Sequence, residues 1–212
     1  MTTVSTFRNN QLTGNRPLLT ILNHIKKGTE KEIVENYRQL LLDGKDDWAD
    51  QLLLHLTAFT PAGRFDKIRH RNDILFYSRI VMLETNPLTE KELAKVHQVA
   101  IADQHTYASF RSIAGNTLII LVPVESEAHQ HPRTFNRVLN YYTSRRGLPL
   151  SANGFRLTDL CYYSSDPDAF INPDATPLPL QPGPAGGPPA SNAVALPTTR
   201  FILHAVRFPC LN

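Results

Sequence analysis

The densest group of side chains able to do chemistry is Arg64, Lys67, Arg69, His70 and Arg71, four cations and an imidazole within eight positions. Such a run suits contact with a nucleic-acid backbone, where each neutralised phosphate adds a salt-dependent increment to binding. A solvated hairpin loop is the competing reading. His129 and His131 stand at i and i+2, a spacing that can hold a metal ion, but no Cys or acidic partner falls at a matching distance. Exposure or packing at a helix start is the plainer explanation. Asp166-Pro167-Asp168 has the spacing of paired oxygen ligands, yet Asp-Pro is also a standard turn starter, and the turn is preferred. Arg145 and Arg146 close a predicted helix, where cations offset the negative end of the dipole. Cys161 and Cys210 form no CxxC pair, so neither a disulfide framework nor a zinc site can be drawn from them. Walker loop, dinucleotide-binding glycine fingerprint and nucleophile elbow are all missing.

The elements that must position these groups come from a chain of 212 residues, enough for one domain with a substantial core. The hydrophobic share of 42%, the charged share of 19% and a net charge of +3 are ordinary for a globular protein and permit a nucleic-acid partner without requiring one. Met1 to Asn10 has no apolar core of signal-peptide length, and the longest apolar run, Leu118 to Val124, is too short to span a bilayer. The expectation is a cytoplasmic protein with no membrane association.

Val4 to Phe7 is a strand candidate, and Pro17 opens a helix with Leu18, Leu19, Ile21, Leu22 and Ile25 on one face. Thr29 with Glu32 has the pattern of a capping box, and Asp46 to Leu56 continues the helical periodicity. Residues 1–56 are therefore expected as a helical N-terminal subdomain. Beyond it, Thr57 to Thr60 is a short strand and Ile74 to Leu83 reads as one largely buried strand. Thr89 and Glu92 cap a helix to about Ile101, and Thr106 to Ser112 and Leu118 to Val124 form a hairpin around Gly115-Asn116. Pro132 to Arg146 is a helix stopped at Gly147, and Leu157 to Ser164 is the last strand. Tyr162 and Tyr163 on that strand face opposite sides; an exposed ring there could stack on a base, while buried ones simply pack.

Strand, helix, hairpin, helix, strand is the βαββαβ order of ferredoxin-like folds, the plan shared by RNA-recognition motifs and primase palms. The fold class read from the sequence is thus α+β, with this core over residues 57–176. Seven prolines between Pro177 and Pro197 mark residues 177–197 as an extended linker, and residues 198–212, with an apolar run from Arg200 to Phe208, as a strand-like tail.

Thr60-Pro61-Ala62-Gly63-Arg64-Phe65, Ile74-Leu75-Phe76-Tyr77-Ser78 and the long run from Leu160 to Ala175, with its Ser165-Asp166-Pro167-Asp168 and Asn172-Pro173-Asp174, resemble the VirE N-terminal domain family. The resemblance extends from about Thr57 to Pro177. It implies a primase-like module of bacterial mobile elements, found ahead of helicase- or primase-type domains, with a role near DNA replication or transfer. Relatives typically carry Asp-x-Asp at the end of the buried strand, where this chain has Glu84 and Asn86. Two carboxylates at i and i+2 point the same way and can hold divalent ions for phosphoryl transfer; one lost charge weakens Mg²⁺ binding. The family's Ser- and Gly-rich turn leading to a basic residue reads here Ser112-Ile113-Ala114-Gly115-Asn116, with Ile119 at the basic position. Ser151 and Asp159 stand where relatives tend to carry Asp and Arg.

These departures point to a degenerate, non-catalytic module that binds nucleic acid or acts as a scaffold, single-stranded DNA being the favoured ligand and a helicase or primase a possible partner. The candidate nucleic-acid contacts are Arg64, Lys67, Arg69, Arg71, Ser112 and Asn116, with Glu84 and Asn86 vestigial. No cofactor is expected. Two alternatives stay open: an active primase or nucleotidyltransferase using Mg²⁺ or Mn²⁺ at Glu84 and Asn86, and a protein-interaction domain whose C-terminal strand pairs with another sheet edge.

Overall fold

Two runs of apolar residues without alternation, Ile80–Glu84 and Leu118–Pro123, are strands covered on both faces, and the fold is organised around them. The computed structural model describes residues 2–179. In chain order it contains β1 (Thr3–Arg8), β2 (Gln11–Pro17), α1 (Leu18–Lys27), α2 (Lys31–Leu42), α3 (Asp46–Leu53), β3 (Ala58–Phe59), β4 (Gly63–Phe65) and β5 (Ile74–Tyr77). Then follow β6 (Ile80–Glu84), α4 (Glu90–Ile101), β7 (Ala108–Arg111), β8 (Leu118–Pro123), α5 (His131–Asn140), β9 (Cys161–Tyr162) and β10 (Phe170–Ile171). The chain is a mixed α and β protein with five helices and antiparallel sheets among the described residues.

The first sheet has the order β2-β1-β3-β9 and the second β10-β7-β8-β6, while β4 and β5 form a separate two-stranded ribbon. Ile80 and Met82 of β6, with Ile119 and Leu121 of β8, face one core shared with α1 (Leu18, Ile21, Leu22, Ile25) and the first sheet (Val4, Phe59, Cys161). Their neighbours Val81, Leu83, Leu118, Ile120 and Val122 face a second core under α4 and α5, with Leu93, Phe135, Val138 and Tyr142. Period-two alternation thus runs inside both all-apolar strands, one set of side chains for each core.

The segment Ile74 to Leu83, expected as a single buried strand, is two. Arg79 adopts a left-handed φ of 60° and breaks the run, and the Ser78 hydroxyl donates to the Pro61 carbonyl and accepts the Ile80 N–H. Only the second half is buried. The capping box expected at Thr29 and Glu32 does not form. Helix α2 starts one residue later, after Glu30, whose carboxylate instead accepts from Arg8 and Thr57. The box at Thr89 and Glu92 is present, with Thr89 N–H donating to Glu92 at 2.9 Å. The helix expected over Pro132 to Arg146 is α-helical to Asn140 and then widens to a π-helical turn, Tyr141–Arg145, with the Gly147 N–H closing on the Thr143 carbonyl.

The last strand of the expected βαββαβ unit is also placed differently. Only Cys161–Tyr162 is extended, and it pairs with β3 in the first sheet rather than beside β6. Just past the end of β6, Thr85 makes an isolated bridge to Leu150, and β10 joins the opposite edge of the sheet through β7. As an edge strand of the first sheet, β9 buries Tyr163 just beyond its end and half-buries Tyr162. The strand β1, within the expected helical subdomain, pairs with β3, so the sheet runs across the boundary expected at residue 56. Leu178, at the start of the expected linker, is buried in the second core and bridges Val124. Residues 180–197 of that linker, the tail at 198–212 and Cys210 lie outside the described residues.

Candidate nucleic-acid interface

Strand β6 ends at Glu84, where the loop from residue 149 to 159 lies along its edge. The Asn86 N–H donates to the Pro149 carbonyl and the Ser151 N–H to the Glu84 carbonyl, both at 2.8 Å. Gly154 lets the loop sit this close: a Cβ there would stand 2.3 Å from the Met82 carbonyl oxygen, and its φ is 94°. Asn153 Nδ2 donates to Glu84 Oε2 at 2.9 Å, and Thr117 Oγ1 to Oε1 at 2.7 Å. Thr117 in turn lies 2.6 Å from Ser112 Oγ. Both oxygens of the one carboxylate at this lip are engaged by neutral donors. Asn86 is exposed, Ser112 is buried in the hydroxyl chain, and Asn116 is exposed at the turn with its carbonyl accepting from Leu88 N–H.

A two-ion centre does not fit these residues. It needs anionic oxygens converging from more than one position, and among the described residues no three His, Cys, Asp or Glu side chains are grouped to hold an ion. His129 and His131 do not form a pair either. His129 is exposed, while His131 is buried, its Nδ1 3.0 Å from the Tyr77 hydroxyl, and burial pushes its pKa down to about 4.

The run that carries the family resemblance most specifically is a staple. Asp166 is buried; Oδ2 accepts the Arg111 N–H at 2.7 Å and Oδ1 the Asp168 N–H at 3.1 Å, while its own N–H reaches the Ile25 carbonyl. The turn reading of Asp166-Pro167-Asp168 therefore holds, and it ties α1 to β7. Arg38, on α2, is a further anchor of the same region. Its guanidinium donates to the carbonyls of Ile113 and Ser112 at 3.0 Å, and to Ser164 Oγ at 3.1 Å. Burial, and secondarily the charge of Arg111, lowers its pKa. Nothing in α2 alone distinguishes this arginine from a surface one, because its acceptors lie more than 70 positions away.

The basic cluster falls on the β4–β5 ribbon. Arg64 on β4 is directly opposite Phe76 on β5, and its guanidinium carbon lies 5.4 Å from the ring centroid. Phe76 is 46% exposed, Leu75 61% and Ile68 62%. Lys67 and Arg71 are exposed and make no salt bridge among the described residues. Asp66 and Asp73 lie in the same ribbon, Asp73 beside His70. Arg69 turns the other way: half-buried, it donates to the Thr158 carbonyl, and desolvation lowers its pKa. Of the four cations expected to meet phosphate, Arg64 lies against an exposed aromatic ring, Lys67 and Arg71 are exposed on the segment joining β4 to β5, and Arg69 is bound to the fold. The ribbon enters β6 and the Glu84 lip leaves it, so the two groups lie at opposite ends of a strand about 13 Å long. The sequence run Ile74 to Tyr77 concealed the exposure, since apolar residues there read as core.

The family described as "BT4734-like, N-terminal domain" matches residues 52–170, more than half of the chain. The chain belongs to this family. The match to the BT4734-like N-terminal domain runs from α3 to β10, and so takes in the ribbon, the Glu84 lip and the Asp166 staple but leaves out β1, β2, α1 and α2. Comparison with curated proteins and with solved structures returns no match. No helix among the described residues is long and apolar enough to cross a membrane.

Proposed function

We propose that this protein is a nucleic-acid-binding module without a catalytic centre of its own, a degenerate primase-palm-like domain of a mobile-element replication or transfer system. The observation that carries the proposal is the exposed Phe76 ring with Arg64 against it, on a ribbon whose connecting segment carries the exposed Lys67 and Arg71. Every base offers a π-face, so an exposed ring flanked by cations grips single strands without reading sequence. The VirE N-terminal resemblance supports the mobile-element setting. The palm-like reading draws support from the antiparallel order β7-β8-β6, with α4 joining β6 to β7 and α5 following β8. The hydrogen-bonded, solitary Glu84 supports the non-catalytic half.

Fluorescence anisotropy with a labelled single strand tests the ribbon. Phe76→Ala is expected to weaken binding about tenfold. Lys67→Ala with Arg71→Ala is expected to lower the slope of log affinity against log salt by about 1.4, since each lost phosphate contact removes about 0.7 for single strands. Binding indifferent to all three substitutions would remove the ribbon from the interface. Nucleotide incorporation on a single-stranded template, lost on Glu84→Ala, would overturn the non-catalytic reading.

A further inference from the structure

Between the β1–β2 hairpin and the end of β9 lies a cavity of about 380 Å³, away from both the ribbon and the Glu84 lip. The hairpin builds its floor. Opposite residues of an antiparallel pair point to the same face, and here Val4 faces Arg16 and Thr6 faces Gly14. The register slips between Thr6 and Phe7, so Thr13 is brought to the same side, its hydroxyl 3.1 Å from that of Thr6. Gly14, opposite Thr6, has a φ of 141° and nothing within 4 Å of where a Cβ would stand.

Three groups at the walls decide what the cavity can take. Tyr163 lines the cavity and is only 4% exposed, yet its hydroxyl has no hydrogen-bond partner among the described residues. Arg16 lines the same space, is exposed, and makes no ion pair or hydrogen bond among the described residues. Arg8 completes the rim, held by Glu30 at 3.1 Å and by Thr57 Oγ1 at 2.8 Å. Arg8 offsets the charge of Glu30, which also accepts from Thr57 at 2.6 Å, and among the described residues lining the cavity no other carboxylate opposes Arg16.

We infer that this cavity binds a phosphate monoester, with the Arg16 guanidinium and the Tyr163 hydroxyl donating to its terminal oxygens. A monoester carries close to two negative charges at neutral pH and several strong acceptor oxygens. A guanidinium fork matches two of those oxygens and a phenol a third. The volume lies at the lower end of small-molecule sites, which leaves room for an organic group on the ester beside the edge of His24. None of these side chains belongs to the ribbon, so the site does not depend on the ribbon's binding of single strands.

The full chain should be titrated calorimetrically with adenosine 5′-monophosphate and with adenosine. Two single strands, one with a 5′-phosphate and one with a 5′-hydroxyl, should be compared alongside. The monophosphate is expected to bind and adenosine not, and Arg16→Gln to weaken the monophosphate at least tenfold. Tyr163→Phe, which keeps the buried ring, is expected to cost several-fold. A matching Arg16-dependent preference for the phosphorylated strand assigns the site to a nucleic-acid end, and binding of the monophosphate alone assigns it to a free small molecule. The inference is overturned if neither the monophosphate nor the phosphorylated end is preferred, or if the preference survives Arg16→Gln. Phe76→Ala should leave the preference untouched, which separates failure here from failure of the ribbon.

Discussion

His131 shows how a single side chain links sequence to stability. Its ring is buried at the start of α5, against Tyr77, and desolvation disfavours the imidazolium, so its folded pKa lies near 4 while the unfolded chain titrates near the ordinary histidine value of about 6.5. The unfolded state therefore binds the proton first. The stability that neutral His131 contributes is complete above about pH 6.5, falls as pH drops toward 4, and changes no further below that. The full excursion is about 3 kcal/mol, and urea unfolding between pH 7 and pH 4 should follow it, with His131→Gln flattening the profile. A sequence cannot reveal such burial: His131 and His129 look like a pair, and only the fold sends one inward and the other out. Glu84 is similar. Its solitary charge was legible from the neighbouring Asn86, but the donors that engage it, Thr117 and Asn153, lie 33 and 69 positions away.

Elements were legible where local chemistry was self-sufficient. The α4 capping box, the β7–β8 hairpin and the Gly147 stop all rest on contacts within a few residues, and each appears as read. Misreadings arose where distant parts intervened: Glu30 was drawn away from a local cap to Arg8 and Thr57, and Arg79 turned one strand into two. The loop along β6 permits a paired test. Gly44 and Gly154 both have positive φ, but nothing lies within 4 Å of a Cβ at Gly44, whereas one at Gly154 would collide with the Met82 carbonyl. Gly44→Ala should cost about 1 kcal/mol, the conformational penalty alone. Gly154→Ala should cost well over twice that, measured by urea denaturation, because backbone on both sides has to give way.

At the scale of the molecule, the first sheet makes the N-terminal segment part of the fold instead of an attachment. Val4, Phe7, Leu18, Ile21, Leu22 and Ile25 are all essentially fully buried, and each contributes about 1.5–3 kcal/mol of burial. Their sum reaches the whole net stability of a typical domain, about 5–15 kcal/mol. A chain beginning at Thr57 is expected to lose cooperative thermal unfolding and near-ultraviolet circular dichroism, although it retains most of the family match. Independent folding of that shortened chain would show that the sheet is dispensable. The mixed α and β class could be read from periodicity. The exchange of β9 into the other sheet could not, because a two-residue strand carries too little pattern to choose its partner.

Arg38 has a mechanical consequence. One planar guanidinium grips the Ser112–Ile113 turn and the Ser164 segment at once, and a rigid fork cannot stretch to follow partners that drift apart. Those two stretches, some fifty positions apart in the chain, are riveted into a single plate. Thr117 and Glu84 hang by hydrogen bonds from one side of that rivet, and Tyr163 stands next to Ser164 on the other.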